Sequence, residues 1–261
     1  MNIIVFLVCF LSSIAGAICG IGGGVIIKPV LDALDVMSVS AVSFLSGCTV
    51  LSMTTYSVLK SRAGGDSHIE HKTGLPLALG AAVGGVAGKW MFSFVSSLSP
   101  DKDRVGAVQA ACLFVITLGA LLYTLRKDRI RTYHVASPAL CAVIGIFLGI
   151  LSSFLGIGGG PINLVVLFFF FSMSTKAAAE NSLYIIFFSQ IAGLISSLVS
   201  GSVPEFRTAM LFLMAAGGIG GGIAGRMANK KLTDRLVNRL FICLMIVILF
   251  INIYNIYRFM I

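Results

Sequence analysis

Two identical pentapeptides hold the chemistry most legible in this chain. Gly20-Ile21-Gly22-Gly23-Gly24 returns as Gly156-Ile157-Gly158-Gly159-Gly160, and both copies interrupt long apolar runs. Glycine costs roughly 1 kcal/mol per residue relative to alanine inside a helix, so four in five residues break one. Broken backbone in apolar surroundings leaves N–H and C=O groups that hydrocarbon cannot satisfy. A helix restarting after the break presents unpaired N–H groups and a positive dipole end, which suits an anion. Pro161 fits the first helical position, since its missing N–H had no partner there anyway. Arms 24–34 and 160–172 are therefore expected to begin at the breaks. Asn163 follows the second break by three residues, and Ser46, Asn181 and Ser182 lie within apolar spans. A serine hydroxyl or an asparagine amide can donate to an oxyanion. The candidate anion-binding set is thus Gly22, Gly23, Gly24, Gly158, Gly159, Gly160, Asn163, Ser46, Asn181 and Ser182. The competing reading is that the glycines only let helices approach and that the serines bond their own backbone.

Other chemistries fit less well. A phosphate loop needs G-K-[ST] after the glycines and a strand before them, and neither break supplies these. Gly220-x-Gly222-x-x-Gly225 has dinucleotide-loop spacing but lies inside an apolar helix. The six cysteines form no C-x-x-C pair; they read as small buried hydrophobes rather than a thiol relay or a zinc site. His68, His71 and His134 fall in loops. No nucleophile–base pair is visible, so the expectation is a protein that is not an enzyme and uses no metal or cofactor. Glu180 reads as a proton carrier if buried, or as a helix cap or interface residue. Lys28 places a positive charge in the first arm, with Asp32 at i+4 as its natural partner. Lys89 and Arg226 read as gate charges or as side chains snorkelling to the interface.

These residues need a bilayer around them. The 261 residues are 57% hydrophobic and 11% charged, with a mean hydropathy of +1.01, whereas a soluble domain carries about 25% charged residues. The net charge of +9 sits in short loops, which marks the cytoplasmic side of a membrane protein rather than a nucleic-acid surface. The start, Met1-Asn2-Ile3-Ile4, lacks the basic n-region of a secretory signal, so residues 3–19 belong to the fold. Residues 38–59, 74–97, 105–125, 176–199, 206–228 and 236–257 are each long enough to span.

The halves repeat. Gly20 and Gly156, Leu31 and Leu167, Ala41 and Ala177, and Ser46 and Ser182 stand 136 positions apart. Gly84-Gly85-Val86-Ala87-Gly88-Lys89 and Gly221-Gly222-Ile223-Ala224-Gly225-Arg226 stand 137 apart, one inserted loop residue later. Residues 1–126 and 138–261 are expected to be the two repeats, joined by a basic linker at 127–137. Residues 3–34 would make about 48 Å of helix against a hydrocarbon core of about 30 Å, so a hairpin turning at the glycines fits better than one crossing. Three further crossings then invert the second repeat. The predicted fold is all-α and integral to the membrane: two inverted repeats, each a broken-helix hairpin plus three transmembrane helices. Loops 60–73, 126–135 and 226–239 share the cytoplasmic side, and both termini are extracytoplasmic.

The duplicated breaks with Pro29 or Pro161 nearby, the stretch Ala177 to Ser182 and the glycine-rich segments at 84–88 and 221–225 together resemble the TauE/SafE, or sulfite exporter, family over essentially the full length. The resemblance implies secondary transport, often proton-coupled, of sulfur-containing anions such as sulfite or organosulfonates. The expected partners are a small anionic substrate, a coupling proton and the plasma-membrane bilayer, with no nucleic acid. In the first repeat Ser43-Phe44-Leu45-Ser46 departs from the polar Glu180-Asn181-Ser182 of the second. Two alternatives stay open: a passive anion channel of similar architecture, and a membrane thiol-redox protein.

Overall fold

The computed structural model describes residues 2–63, 71–98 and 102–260, and these are helical with no strand. The first half comprises α1 (Asn2–Cys19), the short α2 (Gly24–Ala33), α3 (Val39–Ala63), α4 (His71–Leu98) and α5 (Lys102–Arg126). The second comprises α6 (Pro138–Phe154), the short α7 (Pro161–Phe171), α8 (Thr175–Val199), α9 (Thr208–Lys231) and α10 (Asp234–Met260). Among the described residues, α1, α3, α4, α5, α8, α9 and α10 are long and apolar enough to cross a membrane. The fold is all-α and integral to the membrane. The loop residues Asp66, His68, Glu70, Pro100 and Asp101 lie outside the described residues.

The helices break where the glycines predict. Gly22 and Gly158 have φ of +72° and +69°, left-handed values that cost an L side chain about 1–2 kcal/mol. After the first break the chain turns back on itself, so that Gly23 packs against Ser13 of α1. The far end of α2 lies against the last turn of α10, where Arg258 donates to the Asp32 carbonyl and pairs with Asp35. At the second break the linker itself reports the turn. Tyr133 and Val135 donate to the carbonyls of Phe169 and Phe170 at 2.7 and 2.9 Å, groups that the end of α7 leaves without intrahelical partners. The segment that enters α6 therefore also covers the end of α7, and the two arms form a hairpin.

Small residues set the contacts between the long helices. Gly80, Gly84 and Gly88 of α4 face the carbonyls of Ala142, Ile146 and Ile150 of α6, so these helices run parallel. Gly221 and Gly225 of α9 face the carbonyls of Phe10 and Ile14 of α1 in the same way. Gly218 and Gly222 of α9 meet Thr49 and Met53 of α3. α3 and α8 instead run antiparallel: Gly47 meets Gln190, and Val50 and Met53 cluster with Leu183 and Ile186. Exchanging the halves exchanges the contacts. α4 packs on α6 and α8 as α9 packs on α1 and α3, and α5 packs on α7 as α10 packs on α2.

A Cβ on Gly84 would lie 2.1 Å from the Ile146 carbonyl oxygen, whereas one on Gly119 would meet nothing within 4 Å. Gly84→Val should therefore lower the melting temperature in detergent, since overpacking costs about 1–3 kcal/mol. Gly119→Val should leave it nearly unchanged. Equal melting temperatures in the two variants would refute this account of the seam.

Candidate functional site

The two breaks meet. A Cβ on Gly24 would lie 2.1 Å from the Ile157 carbonyl oxygen, and one on Gly22 would lie 3.4 Å from that of Gly158. The tips thus touch backbone to backbone. Gly158 also abuts Val50, and Gly159 abuts Ile186, residues close to the middle of α3 and α8. The ladder of α2 opens with Ile26 and Ile27, both donating to the Gly23 carbonyl, so the N–H groups of Gly24 and Val25 precede it. In α7 the first such bond is Asn163 N–H to the Gly160 carbonyl, at 3.1 Å. Both short helices therefore begin at the point of contact.

Around this point the polar side chains sort into two groups. Asn163 is 1% exposed, and neither its amide nitrogen nor its amide oxygen has a partner. Ser46 and Ser182 are fully buried, also without a partner. On α3, Ser46 sits between Ser43, which touches Gly156, and Val50, which touches Gly158. That spacing is one helix face. On α8, Ser182 sits likewise between Ala179, which touches Gly20, and Ile186, which touches Gly159. Ser43 is a further buried hydroxyl without a partner. Its contact with the opposite break has no signature in the sequence. By contrast, Thr49, Ser52, Thr54 and Thr55 donate to carbonyls of their own helix. Asn181 donates to the Ala177 carbonyl at 2.9 Å, back along α8. Glu180 is half-buried and accepts from Ser61 of α3. Lys28 pairs with Asp32 at 2.8 Å.

Two cavities flank the contact rather than lie within it. One of about 330 Å³ is lined by Ser57, Lys176, Ala179, Glu180, Arg226 and Lys230. The other, of about 690 Å³ at the opposite ends of α3 and α8, is lined by Ser40, Ser43, Lys89, Ser93, Ser97 and Glu205. Ala179 and Ser43 link each cavity to a different break. The cavities are counterparts in the two halves: Arg226 answers Lys89, and Lys176 answers Ser40. Arg226 donates to the Ser57 carbonyl at 3.0 Å, while its Nε is buried with no partner. Both repeat-related cations line these cavities. Their matched spacing was the signal in the sequence.

The six cysteines are free, and Cys9, Cys19 and Cys141 are buried. Cys243 is exposed on α10, which corrects the expectation that all six are buried.

No solved structure matches this chain. A protein of Haemophilus influenzae described as a probable membrane transporter is 29% identical over 221 residues, covering 82% of this chain and 81% of that relative. The probable membrane transporter protein YunE of Bacillus subtilis is 23% identical over 227 residues, covering 77% and 80%. The family model described as sulfite exporter TauE/SafE matches residues 5–251, a range that includes both breaks and both cavities. On that match the chain belongs to the TauE/SafE sulfite exporter family, and it is a membrane transporter.

Proposed function

We propose that this protein is a secondary transporter of small oxyanions, sulfur-containing ones such as sulfite or organosulfonates, bound where the two breaks meet. The observation that carries the reading is the set of buried, unpartnered polar groups at that contact: Asn163, Ser46 and Ser182. Unmet buried polar groups are costly, and an oxyanion accepts from all three, as it does from the leading N–H groups of α2 and α7. The family name suggests the sulfur; the donors suggest the anion. The halves are taken as inverted repeats, 1–126 and 138–261, because the equivalent helices α3 and α8 run antiparallel. With the basic linker in the cytoplasm, the Arg226 cavity opens inward, the Lys89 cavity opens outward and both termini lie outside the plasma membrane. Substrate enters from one cavity and leaves by the other as the repeats rock about the contact, the mode of inverted-repeat transporters. A passive channel suits the geometry less well, because the tips touch.

Thermal-shift measurements on purified protein with sulfite, thiosulfate, sulfate and methanesulfonate test the reading. At least one of these should raise the melting temperature. Asn163→Leu should itself stabilise the free protein, by up to about 1–3 kcal/mol for a removed unmet group, and should shrink the anion-induced shift. Shifts with cations or neutral solutes alone would remove the anion site.

A further inference from the structure

Asp32 carries a charge where the fold needs none. Its Oδ2 accepts from Lys28 Nζ at 2.8 Å, and the two side chains are only 5% and 4% exposed. Their counterparts 136 positions on are Leu164 and Phe168, both buried on α7. Since α7 packs on α5 as α2 packs on α10, apolar side chains do the same packing in the second half. A buried ion pair is often no more stable than apolar residues of similar volume, so stability does not explain the pair.

The surroundings lack donors. Asp32 Oδ1, Gln109 Oε1 of α5 and Asn255 Oδ1 of α10 are buried without partners. The amides are fixed in orientation: Gln109 Nε2 donates to the Phe154 carbonyl at 2.7 Å, and Asn255 Nδ2 to the Pro29 carbonyl at 2.9 Å. All three residues line one cavity of about 10 Å³, room for no more than about one water. The charged groups nearby are Lys28, Arg258 with its partner Asp35, and Lys89 of α4, within Coulombic reach of Lys28. Gln109, Asn252 and Asn255 are the polar groups that α5 and α10 add to the lining, and none titrates.

We propose that Asp32 is the proton-binding site of this transporter, and that a proton on Oδ1 frees Lys28 to act as counter-ion to a co-transported anion. The new O–H is the donor that Asn255 or Gln109 lacks. The role of Lys28 rests on the anion reading above. A proton alone leaves Lys28 a buried charge without a counter-ion, and an anion alone meets a pair already neutral. The two therefore enter together, one proton per anion. A metal cation in the same cavity is opposed by the adjacent ammonium group.

Two measurements separate this site from the anion reading. In Lys28→Met, Asp32 loses its ion-pair partner and should hold a proton constitutively. Its infrared spectrum should show a protonated carboxyl C=O band that moves on isotopic labelling of aspartate and is absent from Lys28→Met/Asp32→Asn. In the wild type, thiosulfate or methanesulfonate added to lightly buffered protein should drive uptake of about one proton per bound anion. That uptake should be absent from Lys28→Met/Asp32→Asn. Anion binding without proton uptake, or with sodium uptake in its place, overturns the proposal, as does a Lys28→Met protein without the aspartate band. A band with no anion binding leaves the proton on Asp32 and overturns the anion reading instead. The wild-type arm stands even if Lys28→Met does not fold.

Discussion

Gly24→Ala is expected to stop uptake of labelled thiosulfate into proteoliposomes, with the protein still inserted and monodisperse, while Gly22→Ala keeps most of it. The two positions are two residues apart and differ in what the glycine does. Gly24 is the first residue of α2, where alanine is the better helix former by roughly 1 kcal/mol. Its cost lies outside its own helix, where a Cβ would sit 2.1 Å from a backbone oxygen of the other tip and 2.9 Å from Val50 Cγ2 of α3. The Val50 side chain can shift but the backbone oxygen cannot, so the tips must separate. Gly22 has φ +72°, and alanine is strained by about 1–2 kcal/mol. Its Cβ, however, would find the nearest atom of the other tip at 3.4 Å, an ordinary contact. Gly22→Ala should therefore melt lower yet transport, and Gly24→Ala should not transport at all. Equal flux in both variants would falsify the idea that the contact between tips, rather than the turn within each, is the working element.

The breaks and the hairpins were legible in the sequence because they rest on local chemistry and on helix length. Four glycines break a helix wherever they occur, and a repeat offset needs no structure to be seen. What was not legible depends on packing between distant segments. Ser46 and Thr49 lie one turn apart on α3, yet Thr49 donates to the Leu45 carbonyl while Ser46 has no partner. Asn163 stood ahead of Asn181 as an amide donor only because it follows a break by three residues. One is left unpartnered beside a break, and the other is turned along its own helix. The inward course of Lys89 was likewise hidden. Its side chain lies along Gly193 of α8, and only the approach of α4 to α8 makes that space. The linker read as a basic loop, but its N–H groups cap α7, a bond between backbones that side-chain types do not encode.

Lys28 and Asp32 were visible as an i,i+4 pair; the setting that makes them informative was not, since Gln109 and Asn255 come from α5 and α10. That setting predicts an inverted order of stabilities. Asp32→Ala leaves a buried ammonium group without its partner and should cost about 3–5 kcal/mol. Lys28→Met/Asp32→Leu removes both charges, keeps the volume close and copies the apolar character of Leu164 and Phe168. It should be as stable as the wild type, or more stable by about 1–4 kcal/mol, and should not couple transport to a proton gradient. The melting temperature in detergent reads the first quantity, and the response of proteoliposome uptake to a collapsed gradient reads the second. A double variant less stable than Asp32→Ala would mean that the pair holds α2 in place. A double variant still driven by the gradient would move the coupling site elsewhere. A stable but uncoupled double variant gives the ion pair one remaining reason to exist: the halves share a fold that needs no charge here, and the first has kept one because moving a proton does.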